Sequence, residues 1–437
     1  MVLFDFLTRY DPKVLEVLAT LATTVFAVLS GLVAAIWTIL QFLDERRKER
    51  QTQVALEQER LEQQRLVEQG RRAERVATLI SEFGKAEDPE ARGWTTLALS
   101  LYPNETTRLL TLALGQCNEE TVGAVRLALV GIGAPALPEL TRLNRIARVF
   151  VDSEDTESDT AESQRKSQRN EHLQLLQRTQ SVIVQLLFHL PPAMVAAEDL
   201  SNIDLSHCNL QGLRCEGLRL RKCHLHGTLF KKASIREAVF RGALVEQAVF
   251  LKTVLERADF TGAKGSLIAI KCGADGACFD HADLRRSQFD GASLERCRFQ
   301  GTNLDDATLR GAQLHESVFE HSHCNRVDAT KVRAIRVHWK MSGLVAARLD
   351  EADLSESIFE QCKMMGISAK NADARSARFL NCNLGGIQFG GAKLNGAQFR
   401  GCSLGGADFR GCELDQAVFH KCKIETAKFD EGVVIAS

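Results

Sequence analysis

The sequence predicts an α plus β-solenoid chain: a transmembrane and stalk helix, a small α-helical domain, and a stacked C-terminal solenoid. Three observations predict it. Val17 to Leu43 is a run of 27 residues without a charge. All seven prolines lie at or before Pro192, and the 245 residues that follow can place every backbone N–H in a ladder. From Leu200 onward a large apolar residue recurs every fifth position, as in Leu394, Phe399, Leu404, Phe409, Leu414 and Phe419.

The 437 residues leave room for two or three domains. A formal net charge of -1 gives no global attraction to nucleic acid or an anionic membrane. Residues 200–437 hold 33 Lys+Arg and 28 Asp+Glu, a balance of +5, which leaves -6 for residues 1–199. The expected domains are an N-terminal flank (1–16), a transmembrane helix (17–43), a charged helical stalk (44–75), a helical domain (76–150), an acidic loop and helix (151–197), and the solenoid (198–432).

A bilayer-spanning helix needs about 20 apolar residues, and the first run exceeds this. It is too long for a cleavable signal peptide, and no tidy cleavage site follows it. Arg46, Arg47, Lys48 and Arg50 follow the run, whereas only Arg9 and Lys13 precede it. The positive-inside rule therefore predicts a single-pass protein of a bacterial inner membrane, with its C-terminal bulk in the cytoplasm. Unpaired cysteines agree with a reducing compartment. Small residues recur every fourth position at Ala19, Thr23, Ala27, Gly31 and Ala35. Such a stripe lets membrane helices approach closely and predicts self-association into a homo-oligomer, although membrane helices are rich in small residues in any case.

Residues 44–75 are rich in Glu, Gln, Arg and Leu, all good helix formers, so the first helix should continue through them. Leu56 and Leu61 are too sparse to choose a coiled-coil seam over a solvated single helix. Short helices follow, one opening near Asp88 and others behind the capping residues Asn104 and Asn118. The run "LALVGIGAPALPEL" resembles a HEAT-type helical repeat. That implies a protein-binding surface, while a compact bundle joining stalk to solenoid is the plainer reading. Residues 151–163 (VDSEDTESDTAES) are acidic and nearly free of large apolar groups, which predicts a flexible loop. A helix resumes near Glu171 and stops at Pro191-Pro192.

In the C-terminal half the large residue is the centre of each unit, and a small residue sits two places before it. One register runs through Leu200, Leu205 and Leu210 and from Leu220 to Phe260. A second runs from Phe279 to Phe429. They differ by one residue, placing a lost position between Ile270 and Phe279. The stretch "ADLRRSQFDGASLERCRFQGTNLDDATLRGAQL" (Ala282–Leu314) resembles the pentapeptide-repeat family, motif A-(D/N)-L-x-x, almost unit by unit. The resemblance implies a right-handed quadrilateral β-helix with four pentapeptides per coil. Forty-six centres then give about eleven and a half coils, roughly 50–55 Å long at a spacing of ~4.8 Å. Centres and small residues should point inward and the other three positions outward. Cys208, Cys223, Cys297, Cys362, Cys382, Cys402, Cys412 and Cys422 all fall on the small inward position, so packing rather than metal or disulfide chemistry is expected of them.

His321, His323 and Cys324 (HSHC) look ligand-like, but the register turns both histidines to solvent and supplies no fourth ligand. No metal site is expected there, nor at His224 and His226. Two stretches break the pattern, residues 265–277 and 324–343. The second gathers Arg326, Lys331, Arg333, Arg336, Trp339 and Lys340, a candidate basic interaction patch for phosphate or an acidic protein. The chain carries no P-loop, dinucleotide glycine motif or nucleophile elbow, so no catalytic residue and no cofactor is expected. The reading is a membrane-anchored, non-catalytic scaffold for a protein partner. An oligomeric membrane effector or pore-former is the alternative. The resemblance also implies a third possibility, since some family members imitate duplex DNA and bind type II topoisomerases. Those rods are acidic and this one carries +5, so neither that role nor nucleic-acid binding is expected.

Overall fold

The computed structural model describes residues 12–85, 98, 103–116, 119–152 and 162–431. The N-terminal flank up to residue 11, the helix expected near Asp88 and most of the acidic loop lie outside the described residues. The chain divides into two compact units, residues 1–77 and 78–437.

The segments expected as membrane helix and stalk form one element, α1 (Pro12–Lys85). Its 74 residues span about 110 Å at 1.5 Å per residue. Within it Thr23–Asp44 is long and apolar enough to cross a membrane, and makes α1 a candidate span. Its hydroxyls are satisfied by the helix itself: Thr24 Oγ1 donates to Thr20 O at 2.7 Å and Ser30 Oγ to Ala27 O at 2.9 Å. Polar side chains bonded in this way remain compatible with a lipid surround.

Among the described residues five named helices follow: α2 (Pro103–Gln116), α3 (Glu119–Ile132), α4 (Ala136–Asp152), α5 (Glu162–His189) and α6 (Pro192–Ala197). Gly133, at a φ of 79°, ends α3, and Ala136 N donates to its carbonyl to start α4. On α4 the buried residues Ala136, Leu137, Leu140, Thr141, Asn144 and Ala147 recur at helical spacing, the apolar stripe that an amphipathic helix turns inward. Val182, Ile183, Leu186 and Leu187 of α5 are buried as well.

From Asp204 the backbone forms four parallel ladders, one per pentapeptide. Asp204, Asn209, Arg214 and Arg219 bridge to His224, Leu229, Ser234 and Val239, each twenty residues on. The first ladder runs on through Leu244, Lys264, Asp283, Asn303, His323, Gly343, Lys363, Asn383 and Ser403 to Lys423, eleven coil-to-coil steps in all. One side is regular enough to form named strands: β1 (Val318–Glu320), β2 (His338–Lys340), β3 (Ile358–Glu360), β4 (Arg378–Leu380), β5 (Gln398–Arg400) and β6 (Val418–His420), parallel and in register.

Period five and period twenty together fill the interior. Centres twenty apart stack: Phe299 on Phe319 with ring centroids at 4.4 Å, Phe359 on Phe379 at 5.0 Å, Phe379 on Phe399 at 4.8 Å. Centres ten apart meet edge-on across the core, as Phe389 and Phe399 do at 6.2 Å. Thirteen phenylalanines are almost fully buried, and each contributes about 1.5–3 kcal/mol of burial. The surface ion pairs are mostly exposed and worth about 0–1 kcal/mol each, so burial dominates. The small inward position has a second task. Its hydroxyl or thiol donates to the carbonyl 23 residues earlier: Thr302 Oγ1 to Phe279 O at 2.7 Å, Ser317 Oγ to Leu294 O at 2.6 Å, Cys382 Sγ to Phe359 O at 3.2 Å. Cysteine there is a small apolar residue with a weak donor. Burial pushes the Cys223 and Cys272 thiols up to about 12, which keeps them protonated at neutral pH.

The register slip lies earlier than the sequence placed it. Val249, Val254 and Asp259 bridge to Ile268, Gly273 and Cys278, nineteen residues on, and the lost residue falls between the bridge positions Lys264 and Ile268. Ala269, not Ile270, points inward, and Ile270 faces outward. Gly265 makes the short corner possible. Its φ is 118°, and a Cβ there would lie 2.5 Å from Glu246 N and 2.8 Å from Glu246 Cα. The Glu246 carboxylate then accepts bonds from the Ser266 N–H and hydroxyl.

The first coil has no coil before it, and α4 takes that place. Asn144 Oδ1 accepts from Asp204 N at 2.7 Å, and Asn144 Nδ2 donates to Asp204 O at 3.1 Å. Arg145 Nε donates to Ser201 O at 2.7 Å, and Arg148 Nη1 to Asn202 O at 2.9 Å. Side chains thus satisfy, over Ser201–Asp204, backbone groups that inner coils satisfy with backbone, which covers this part of the edge. Asn144→Ala should leave the Asp204 N–H and C=O without partners, at about 1–3 kcal/mol for each buried group. Denaturant unfolding should show that loss, and hydrogen exchange should show faster exchange at Asp204 with little change beyond the third coil.

Candidate interaction surface

Each pentapeptide turns the chain through one corner, so outward neighbours in space are twenty residues apart rather than five. This disperses the expected basic patch. Arg326, Lys331 and Arg336 occupy three successive corners of one coil, each at positive φ (55°, 59° and 56°). Each pairs with a carboxylate one coil away. Arg326 makes two bonds to Asp306, at 2.7 and 2.8 Å, and Lys331 Nζ lies 3.4 Å from Glu351. Arg336 bridges Glu316 and Glu356, and Lys340 Nζ lies 3.3 Å from Glu320. A basic coil thus sits between two coils that supply acids. The Arg326 guanidinium holds the Asp306 carboxyl below its usual range. Arg333 is exposed and pairs with no carboxylate among the described residues.

Trp339 is not a surface aromatic. It is an inward centre, 4% exposed, stacked between Phe319 (3.8 Å) and Phe359 (6.1 Å). The break at 324–343 is a swap of sizes. The centres are Cys324, Ala329 and Ala334, while Val327, Val332 and Val337 hold the normally small position, and all six are buried. The exchange fills the coil but leaves a void of about 10 Å³ near Ala329, Ala334 and Trp339. The indole N–H of Trp339 has no partner.

Cys324 points into the core while His321 and His323 face solvent, so HSHC is not a cluster. Among the described residues no group of three or more His, Cys, Asp or Glu could hold a metal. His224 has a structural setting: Arg148 donates to its Nε2, and Asp204 lies 3.8 Å from its Nδ1. Burial first, then the Arg148 charge, pushes its pKa below the ordinary histidine value. Two open grooves adjoin these features. One, about 570 Å³, runs between α5 and the first coil beside Gln180 and His207. The other, about 530 Å³, lies at the slip beside Gly265, Arg286 and Asp305. On α1, Thr23, Ala27 and Gly31 of the small stripe are exposed, and the side chains of Ala19 and Ala35 lie outside the described residues.

The family model for pentapeptide repeats matches residues 199–236, 233–264, 277–315, 294–333 and 392–430, and that for a pentapeptide repeat region matches 332–409. HetL, a pentapeptide repeat protein involved in heterocyst differentiation regulation from the cyanobacterium Nostoc, is 23% identical over 54% of this chain and 91% of its own, with a TM-score of 0.18. Full-length QnrB1, a plasmid-mediated fluoroquinolone resistance protein, is 14% identical over 52% and 92%, with a TM-score of 0.17. A pentapeptide repeat protein of the Arabidopsis thaliana thylakoid lumen is 21% identical over 29% and 70%, with a TM-score of 0.15. No curated protein matches the chain.

Trp339→Phe should remove the unpartnered N–H and restore an all-phenylalanine stack. Thermal unfolding should show stability unchanged or higher by up to ~1 kcal/mol. A surface tryptophan would respond only in binding.

Proposed function

Because the chain belongs to the pentapeptide-repeat family, we propose that it is a membrane-tethered, non-catalytic module that holds a protein partner at a bilayer. The observation that carries this reading is the pairing, in one chain, of a candidate membrane span in α1 with a solenoid whose outward side chains are fixed on a lattice. Such repeat surfaces suit extended recognition. The flanking charges Arg46, Arg47, Lys48 and Arg50 support a cytoplasmic position for everything C-terminal to the span. The balance of +5 over residues 200–437 argues against imitation of duplex DNA, which needs a dense negative surface.

A second reading, an oligomeric membrane effector, is favoured by the small stripe. A Cβ added at Gly31 meets no atom within 4 Å, so this face of α1 is open to a neighbouring helix. The two readings separate in one experiment on the full chain in native membranes. Under the scaffold reading the chain resists alkaline extraction, co-purifies with a defined partner and leaves vesicles sealed. Under the effector reading Ala27→Leu/Gly31→Leu abolishes both a crosslinked homo-oligomer and vesicle leakage. A chain that alkali strips from membranes would refute the tether in both.

A further inference from the structure

The excess positive charge of the solenoid is not spread along it. Residues 200–275 hold 12 Lys+Arg and 7 Asp+Glu, while residues 276–437 hold 21 of each, so all of the +5 lies in the first coils. On one side of those coils three rows run from coil to coil. The first is aliphatic: Leu229 bridges Val249, which bridges Ile268. The second is Lys231, Leu251 and Ile270, fixed by Lys232 N donating to Leu251 O at 2.9 Å and Lys252 N to Ile270 O at 3.1 Å. The third, along the corner, is Lys232, Lys252 and Lys271, all exposed and all at positive φ (58°, 54° and 54°).

Many cations elsewhere on the solenoid face a carboxylate on the next coil, as in Arg236–Glu256, Arg326–Asp306 and Arg336–Glu356. Among the described residues none of the four lysines pairs with a carboxylate. Three like charges stacked about 5 Å apart repel one another unless an external anion field offsets them. Asp290, the first acid below the rows, is taken by Arg310. The aliphatic side chains stand flush: Leu229 is 38% exposed, and Val249, Leu251, Ile268 and Ile270 are half-buried. Lysine presents a compact charge on a flexible apolar stem, where arginine presents a fork matched to one carboxylate.

We propose that this lysine-edged aliphatic face binds the headgroup surface of an anionic phospholipid bilayer. A flat apolar strip with lysines along its edge fits a diffuse plane of phosphates better than the discrete carboxylates of a protein partner. The proposal builds on the tether reading, because a chain held at a bilayer keeps the face near headgroups at high effective concentration.

The test uses the full chain with a photo-crosslinking residue at Leu229, mixed with vesicles of phosphatidylcholine alone or with about 30% phosphatidylglycerol. Crosslinking to lipid should need phosphatidylglycerol. It should fall at least about tenfold in Lys232→Glu/Lys252→Glu/Lys271→Glu, and also for the unaltered chain at about 0.5 M salt. Equal crosslinking with both vesicles, no response to charge reversal, or no lipid adduct overturns the proposal. Flotation with phosphatidylcholine vesicles at high salt reports the tether separately. If that flotation fails while the phosphatidylglycerol-dependent adduct persists, the tether reading falls and the face stands.

Discussion

The solenoid answers to one constraint: residues twenty places apart, or nineteen across the slip, must lie against each other, in register, with their side chains on the same side of the wall. That requirement ties backbone hydrogen bonding to interior packing. Apart from one turn bond within each pentapeptide, such as Ala233 N to Phe230 O, the N–H and C=O groups of a coil are satisfied by its neighbours, and the phenylalanine columns are continuous only if the register holds. The corner position of each pentapeptide must then take positive φ, and 28 non-glycine residues adopt it along the solenoid. Such a conformation is costly for an isolated L-residue and is held here because ladders on both sides over-determine it. Surface ion pairs follow the same lattice, yet they are exposed and interchangeable, and so they tune the surface without holding the fold.

The same constraint explains both ends of the sequence's legibility. Period five and the inward cysteines could be read directly, because side-chain size at fixed spacing encodes which groups face the core. The slip was misplaced because the pattern of large residues fails over several units. Ala269 and Ala274 are small centres, and the decisive residue, Gly265, acts through backbone space rather than side-chain size. The basic cluster at 326–340 is dispersed for a related reason. Residues close in sequence turn successive corners, whereas Glu316, Arg336 and Glu356, far apart in sequence, stand in one column. Trp339 looked like a surface aromatic because its coil exchanges valines for alanines, which hides the register.

Some features carry no periodic signal at all. The contact of α4 with the first coil depends on Asn144, Arg145 and Arg148, three polar residues on a helix that otherwise reads as ordinary and amphipathic. Their role emerges only once Asp204, Ser201 and Asn202 are seen to lack a preceding coil. The lysine column at 232, 252 and 271 is equally silent in sequence, since the intervals of twenty and nineteen residues become neighbours only after the slip is located. Function therefore has to be sought in columns rather than in motifs.

The most direct test of this account is hydrogen exchange across the full chain with and without Gly265→Ala. The substitution drives a Cβ into the Glu246 backbone. If each coil is supported by its immediate neighbours, the amides of Ile268, Gly273 and Cys278 should lose protection by at least about tenfold while those beyond residue 320 keep it. Unchanged protection at the slip, or loss along the whole solenoid, would contradict it.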